Sequence, residues 1–285
     1  MSNRFIHLSD SPFVEAAFGD QQLVFDPALA GRVLSWKYSG IELLGSSGSD
    51  PVEFGCYPML PWAGRLAKNS MLHEGASVQQ EVNYQGWAIH GLALNQPLNS
   101  WTIDQSVEST TFTGFQTISN WIEVLDVVYV WQIYQRSITT SIQVTPRSAG
   151  TARVILGWHP WFKKSLGKES HAELVVEEAE LLVKHDSIPT GELISFDVNR
   201  GPFDDTLQVP SRSITIEWPK VLRLQVTNSH KWFVLYTGDE NHLCIEPQTG
   251  APNSIDGQFG DSAIACSRSQ PAVMTTRWEF TPIGD

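Results

Sequence analysis

Ser137-Ile138-Thr139-Thr140-Ser141-Ile142-Gln143-Val144 places apolar or β-branched side chains at its even positions and mostly polar ones between them. A period of two is the signature of a strand with one buried and one wetter face. Moving outward, Ser213-Ile214-Thr215-Ile216-Glu217-Trp218 and Val221-Leu222-Arg223-Leu224-Gln225-Val226 alternate the same way. Shorter runs predict further strands at 22–25, 32–38, 110–115, 127–134, 152–158, 173–176, 233–236 and 277–280. Turn formers stand between them, such as Ser46-Ser47-Gly48-Ser49-Asp50-Pro51 and Pro146-Arg147-Ser148-Ala149-Gly150. No segment holds a 3.6-residue apolar period for three turns; Ala179–Lys184 comes nearest and is too short. Many short strands with regular turns predict an all-β fold, a large antiparallel β-sandwich. With no repeat, low-complexity tract or linker in view, residues 1–285 read as a single domain.

Composition narrows the function classes. The chain has 285 residues, 31 acidic and 19 basic, for a formal charge of −12. That balance disfavours nucleic acid and anionic membrane surfaces as partners. Cys56, Cys244 and Cys266 are an odd, sparse set without C-x-x-C spacing, which fits a reducing, cytoplasmic compartment. Asp10 arrives before any apolar core of a signal peptide develops, and no apolar run approaches the ~18 residues of a membrane span. Eleven tryptophans are many for this length. Indoles stack on sugar C–H faces but also fill β-cores, and Trp101, Trp218 and Trp278 sit in strand-like runs where the core reading is favoured.

Five places break the alternation with a residue able to hydrogen-bond or move a proton. His159 ends an apolar strand near two tryptophans and precedes Pro160, which stops the ladder; an imidazole there can exchange protons near neutral pH. Glu246 follows Cys244-Ile245 and precedes Pro247, so its carboxylate must be hydrogen-bonded or act as a base if it is buried. His90 stands before Gly91, which permits close approach. Arg65 lies in a proline- and glycine-containing loop, where its fork of donors suits sugar hydroxyls. Asp204-Asp205 is the fifth place. Each has a structural alternative: a histidine bonded to backbone, a glutamate on the solvent face, an aspartate pair capping a turn. The remaining histidines, His7, His73, His171, His185, His230 and His242, sit mostly among polar or turn residues and read as surface. No H-E-x-x-H, H-x-x-x-H or Cys/His cluster supports a metal, and no P-loop, G-x-S-x-G or G-x-G-x-x-G is present.

In order, these segments resemble the aldose 1-epimerase (galactose mutarotase) family over nearly the whole chain. Gly31-Arg32-Val33-Leu34-Ser35-Trp36 followed by Gly40-Ile41-Glu42-Leu43-Leu44 looks like its first hairpin. Pro61–Leu66 matches its P-x-x-(N/G)-R-(I/L) segment, His90-Gly91-Leu92 its His-Gly-Phe/Leu, and His159-Pro160-Trp161-Phe162 its His-Pro-Tyr/Trp-Phe. Phe203-Asp204-Asp205 matches its Phe/Leu-Asp-(His/Asp), and Glu246-Pro247-Gln248-Thr249 its Glu-Pro-x-Thr. Gly64 stands where many members carry asparagine. Leu207 replaces an aromatic after the aspartate, which leaves Asp205 as the alternative to Asp204.

The resemblance implies a galactose mutarotase-like supersandwich with its pocket on a concave sheet face. It implies an isomerase of carbohydrate metabolism that needs neither cofactor nor metal. Glu246 would be the base and His159 the acid, on opposite sides of the acetal carbon, with His90, Arg65 and Asp204 binding the sugar. A hexose-6-phosphate 1-epimerase, with Arg65, Lys68, Lys163 and Lys164 as candidate phosphate partners, and a non-catalytic carbohydrate-binding sandwich are the alternatives. The expected partner is a small sugar, and monomer and homodimer stand equal.

Overall fold

The computed structural model describes residues 12–45, 48, 50–73, 75–257 and 263–283. The N-terminal stretch read above, with His7, and Ser46, Ser47 and Ser49 of the first turn cluster lie outside the described residues. Within them, two large antiparallel sheets of twelve and eight strands dominate, with two small two-stranded sheets beside them.

The eight-stranded sheet holds the segments whose alternation was cleanest. Its order runs Glu173–Val175, Ser213–Trp218, Leu222–Asn228, Ala272–Pro282, Ser137–Pro146, Leu125–Ile133, Thr110–Ile118 and Ser100–Gln105. Ile138, Ile142 and Val144 point inward, as do Ile214, Ile216, Trp218, Leu222, Leu224 and Val226. The twelve-stranded sheet runs in its central part through Arg32–Tyr38, Cys56–Met59, Gly157–Pro160, His242–Gln248, Trp232–Tyr236, Asp204–Gln208 and Glu180–His185. Ile41–Glu42 closes the expected first hairpin on Arg32–Tyr38.

The two sheets meet across one apolar cluster reaching from Val14 to Phe280. Trp36 from the larger sheet lies edge-on to Trp131 at 5.7 Å and to Trp278 at 5.5 Å from the smaller. Deleting a buried ring of this size costs about 3–5 kcal/mol, so the aromatic contacts fix how the sheets sit. Trp218 and Trp278 are core residues, and Trp101 packs half-buried against the same cluster. The fold is all-β, an antiparallel sandwich.

One expectation changes. Residues 152–158 are two strands, not one: Ala152–Val154 pairs with Ile264–Cys266, while Gly157–Pro160 belongs to the large sheet. Between them Ile155 N–H donates to Pro61 O and Leu156 N–H to Thr249 Oγ1, so the ladder is diverted into loops. Residues 179–184, the nearest approach to a helical pattern, form the strand Glu180–His185. Among the described residues no helix is long and apolar enough to cross a membrane.

What positions the site is the far face of the larger sheet. Trp158, Leu207, Leu235 and Ile245 face the core, so alternation turns His159, Thr206, Val234 and Glu246 the other way. There a second apolar cluster built from loop and strand residues, including Val52, Tyr57, Met59, Trp62, Ile89 and Trp161, covers part of the sheet. Both faces of the central strands are therefore buried, and His159 and Glu246 are 5% and 2% exposed.

Candidate active site

Strand register lays the floor of the pocket as one row across the sheet. Tyr57 pairs with His159, and Gly157 opposite Gln248 brings His159 level with Glu246. Glu246 pairs with Val234, Val234 with Thr206, and Thr206 with Leu182. From His159 to Leu182, every member of this row lines a single cavity together with Arg65, His90, Asp204, Lys184, Tyr84 and Tyr236. The structure thus brings together all five residues singled out in the sequence.

His159 Nε2 lies 3.3 Å from Glu246 Oε1, and Glu246 Oε2 accepts from Gln248 Nε2 at 3.2 Å. The imidazole is held nearly parallel to Tyr57 (centroids 4.8 Å apart) and to Trp161 (5.4 Å), while His90 meets it edge-on at 4.8 Å. Tyr57 Oη and Trp161 Nε1 both donate to Val52 O, which pins the two flanking rings. The solvent-face alternative for Glu246 is excluded by its burial.

Burial governs both ionisations. It holds His159 down to about 3, with the positive charges of Arg32 and Arg65 acting the same way. It raises Glu246 well above the ordinary carboxylate range, helped by Asp204 and opposed by Gln248 and Arg65. Each group resists carrying charge alone, so the two titrate as a coupled pair.

His90 sits at φ 59° and follows the Arg65 loop, to which it is tied by His90 N–H→Gly64 O at 3.0 Å. Gly64 N–H donates to His90 Nδ1 at 3.3 Å. Burial, then the neighbouring His159, keep the ring neutral, well below 6.5; with Nδ1 accepting, its proton is on Nε2, which can donate. Gly64 has φ +71° and a Cβ there would lie 2.5 Å from Pro252 Cβ, so a side chain at this position requires Pro252 to shift.

Arg65 and Asp204 meet at the mouth, Nη1 to Oδ2 at 3.3 Å. Asp204 and Thr206 share the pocket side of their strand, while Leu207 points into the core. Asp204, not Asp205, is accordingly the lining aspartate; Asp205 instead accepts from Lys184 Nζ at 3.1 Å. Lys184, which also bonds Asp204 O, was not singled out in the sequence. A bulge between Leu182 and Lys184 sets its register, and no simple period announces a bulge. Lys68, Lys163 and Lys164 are absent from the lining, and Lys164 Nζ is occupied by Thr237 O and Asp239 O. His242 is not a plain surface residue either: it bonds Asp239 and meets Trp161 edge-on at 6.3 Å.

One trio among the described residues has the donor set for a metal: His159, Cys244 and Glu246 place a ligand atom each within 4.8 Å of one another. Burial, reinforced by Glu246, raises the Cys244 thiol well above its ordinary value of 9.

The cavity holds a buried imidazole–carboxylate pair on its floor and hydrogen-bonding groups at its rim, a combination able to move a proton. The aldose 1-epimerase family profile matches residues 30–258, and the chain belongs to that family. The uncharacterized protein YphB of Escherichia coli K12 is 23% identical over 260 residues, covering 83% of this chain and 88% of that protein. A galactose mutarotase-like protein from Clostridium acetobutylicum superposes with a TM-score of 0.81 at 15% identity, over 95% of each chain. Galactose 1-epimerase from Lactobacillus acidophilus NCFM gives 0.75 at 12% identity, over 100% of this chain and 99% of that one. These likenesses establish a galactose mutarotase-like sandwich.

Proposed function

We propose that the protein is an aldose 1-epimerase that interconverts the α and β anomers of a free aldose through the His159–Glu246 pair. The observation that carries this reading is their 3.3 Å contact inside a pocket lined by His90, Arg65 and Asp204. Anomer exchange needs a base for the O1 proton and an acid for the ring oxygen as the C1–O5 bond breaks. O1 and O5 are bonded to one carbon, so the groups serving them must be neighbours.

Proton balance follows from a pair holding one proton. Glu246 takes the O1 proton as C1=O1 forms, and His159 delivers its proton to O5 as C1–O5 breaks. Rotation about C1–C2 presents the other carbonyl face, O5 attacks it, His159 recovers the O5 proton and Glu246 returns one to O1. With the proton initially on Glu246 the roles reverse, and burial stabilises that neutral distribution in the empty site. Each positioned transfer contributes ~10²–10⁴-fold. His90 Nε2–H, Arg65 and Asp204 orient the hydroxyls.

The pocket's charges favour a neutral sugar over a phosphosugar. Its cations, Arg65 and Lys184, are already paired with Asp204 and Asp205. Against a non-catalytic binding sandwich stands the cost of burying a histidine and a glutamate that a binder does not need. A cytoplasmic location is part of this reading, and Cys56, Cys244 and Cys266 are buried and unbridged. The deciding experiment is polarimetry of freshly dissolved aldoses, free and phosphorylated: acceleration of at least one free aldose is expected, and none across the panel would refute the assignment.

A further inference from the structure

Arg32 is fully buried, yet of its guanidinium nitrogens only Nη1 has a protein acceptor, Phe54 O at 2.7 Å; Nε and Nη2 have none among the described residues. Its Cζ lies 4.4 Å from the Phe54 ring centre and 4.5 Å from that of Tyr57. Val33 pairs with Cys56, so Arg32 falls level with Tyr57, and Tyr57 with His159. Arg32, Tyr57, His159 and Glu246 therefore continue the pocket row across four neighbouring strands, with Arg32 at its closed end. A buried guanidinium with two unsatisfied donors is costly, and an apolar side chain of similar length would pack there at lower cost. A role in packing alone does not account for it.

We propose that Arg32 is a positioning residue for proton transfer: through Tyr57 it clamps the ring stack that sets the plane of His159, and its fixed positive charge opposes a second one on the imidazole. The planar guanidinium suits the clamp, since it stacks on an aromatic face in a way an ammonium does not. The charge can act because the row is dry. His159 is faced by Glu246, His90, Tyr57, Trp161 and Cys244, with Arg65 at the mouth. Of these only Glu246 is an acid of ordinary strength, and burial disfavours its charge. Arg32, itself held down to about 10 by burial, stays charged at neutral pH. Its effect is to keep the pair at one proton when the solution turns acid.

The inference rests on the epimerase reading, and the test separates the two. Mutarotation by wild type, R32M, R32Q and R32K is followed as kcat/KM against pH, with folding checked by near-UV circular dichroism and melting temperature. Removing the cation lets His159 accept a second proton sooner. The acid limb of R32M or R32Q should move up by roughly one pH unit, the Coulomb effect of a unit charge about two strand spacings away at an effective dielectric constant of ~20. R32K keeps the charge, so its acid limb should stay near wild type while its rate falls with the lost clamp. An acid limb unmoved in a folded charge-free variant overturns the proposal, because a structural role lowers amplitude without shifting the profile. It is equally overturned if neither charge-free variant folds, since the cation would then serve the fold. An inactive wild type would instead remove the epimerase reading itself.

Discussion

Arg65 Nη1 and Asp204 Oδ2 lie 3.3 Å apart although 139 positions separate them in the chain. Arg65 comes from a loop tied to His90, Asp204 from the first position of a strand, and each is one-quarter to two-fifths exposed. At that exposure the ion pair contributes little to stability, ~0–1 kcal/mol. Under the proposed epimerase function, its value lies in presenting the sugar with a donor fork and an acceptor held in fixed relation.

Asp204→Asn should therefore leave the melting temperature within a few degrees and raise KM by on the order of tenfold, the loss of about one good hydrogen bond. Steady-state mutarotation kinetics check it. A KM unchanged with kcat reduced a thousandfold would move Asp204 from sugar binding into the proton transfer.

Glu246→Gln and His159→Ala should each lower kcat by ~10²–10⁴-fold while the protein remains folded. The double variant should lose little more than either single one, because the two groups act on one proton and their effects are not additive. Near wild-type polarimetry for either single variant would remove that residue from the mechanism.

The pH dependence follows from the shifts. In the empty site His159 is held down to about 3, so acid has to overcome burial before the pair gains a second proton. Activity should accordingly persist as pH falls through 6.5, where an ordinary histidine would titrate. Glu246 is raised, so the pair keeps its one proton above the usual carboxylate range, and activity declines only on the alkaline side where that proton is lost. The stability sign differs. A depressed histidine makes the fold lose stability as pH falls below 6.5, while a raised glutamate makes it lose stability as pH climbs through the folded value. A pH–rate profile with an acid limb near 6.5 would contradict the one-proton pair.

Much of this was written in the sequence, unevenly. The sheets were legible where one face is wet, as in Ser137–Pro146, because period two survives there. At Gly157–Pro160 and His242–Gln248 both faces are covered, so the burial pattern is continuous and the period vanishes. The five polar residues stood out as interruptions, but alternation alone could not say which way they faced; Asp204 against Asp205 was decided only by the register with Trp232–Tyr236. Tyr57, Arg32 and Lys184 went unnoticed as site residues. Tyr57 reads as one more aromatic in an apolar run, Arg32 as part of a hairpin, and the position of Lys184 depends on a bulge.

Gly91 tests how tightly the His90 turn is built. Its φ is +79° and a Cβ would lie 2.0 Å from Leu60 O, a backbone atom that cannot step aside. Gly91→Ala should destabilise by on the order of 3 kcal/mol, or prevent folding. The turn shifts His90, so any folded fraction should also bind sugar weakly. Thermal unfolding with isothermal calorimetry on the same sample reads both; an unshifted melting temperature would mean that the turn relaxes at no cost.

The balance of charge at the mouth makes the last prediction. A phosphate needs cations whose donors are free or can be freed cheaply, and bidentate arginine is the strongest such partner. Arg65 is engaged by Asp204, and Lys184 by Asp205 with a second bond to the Asp204 carbonyl. Releasing either to a phosphate leaves an aspartate beside a dianion, and Asp204 itself faces the cavity. Glucose 6-phosphate should consequently neither be turned over faster than glucose nor inhibit glucose mutarotation at equal concentration. Neutralising the acids should change that: in Asp204→Asn with Asp205→Asn, Arg65 and Lys184 are released, and inhibition by the phosphosugar should appear and weaken with added salt. Competition by glucose 6-phosphate already in the wild type would show that the rim rearranges around a phosphate, and a phosphorylated aldose would then be the better candidate substrate.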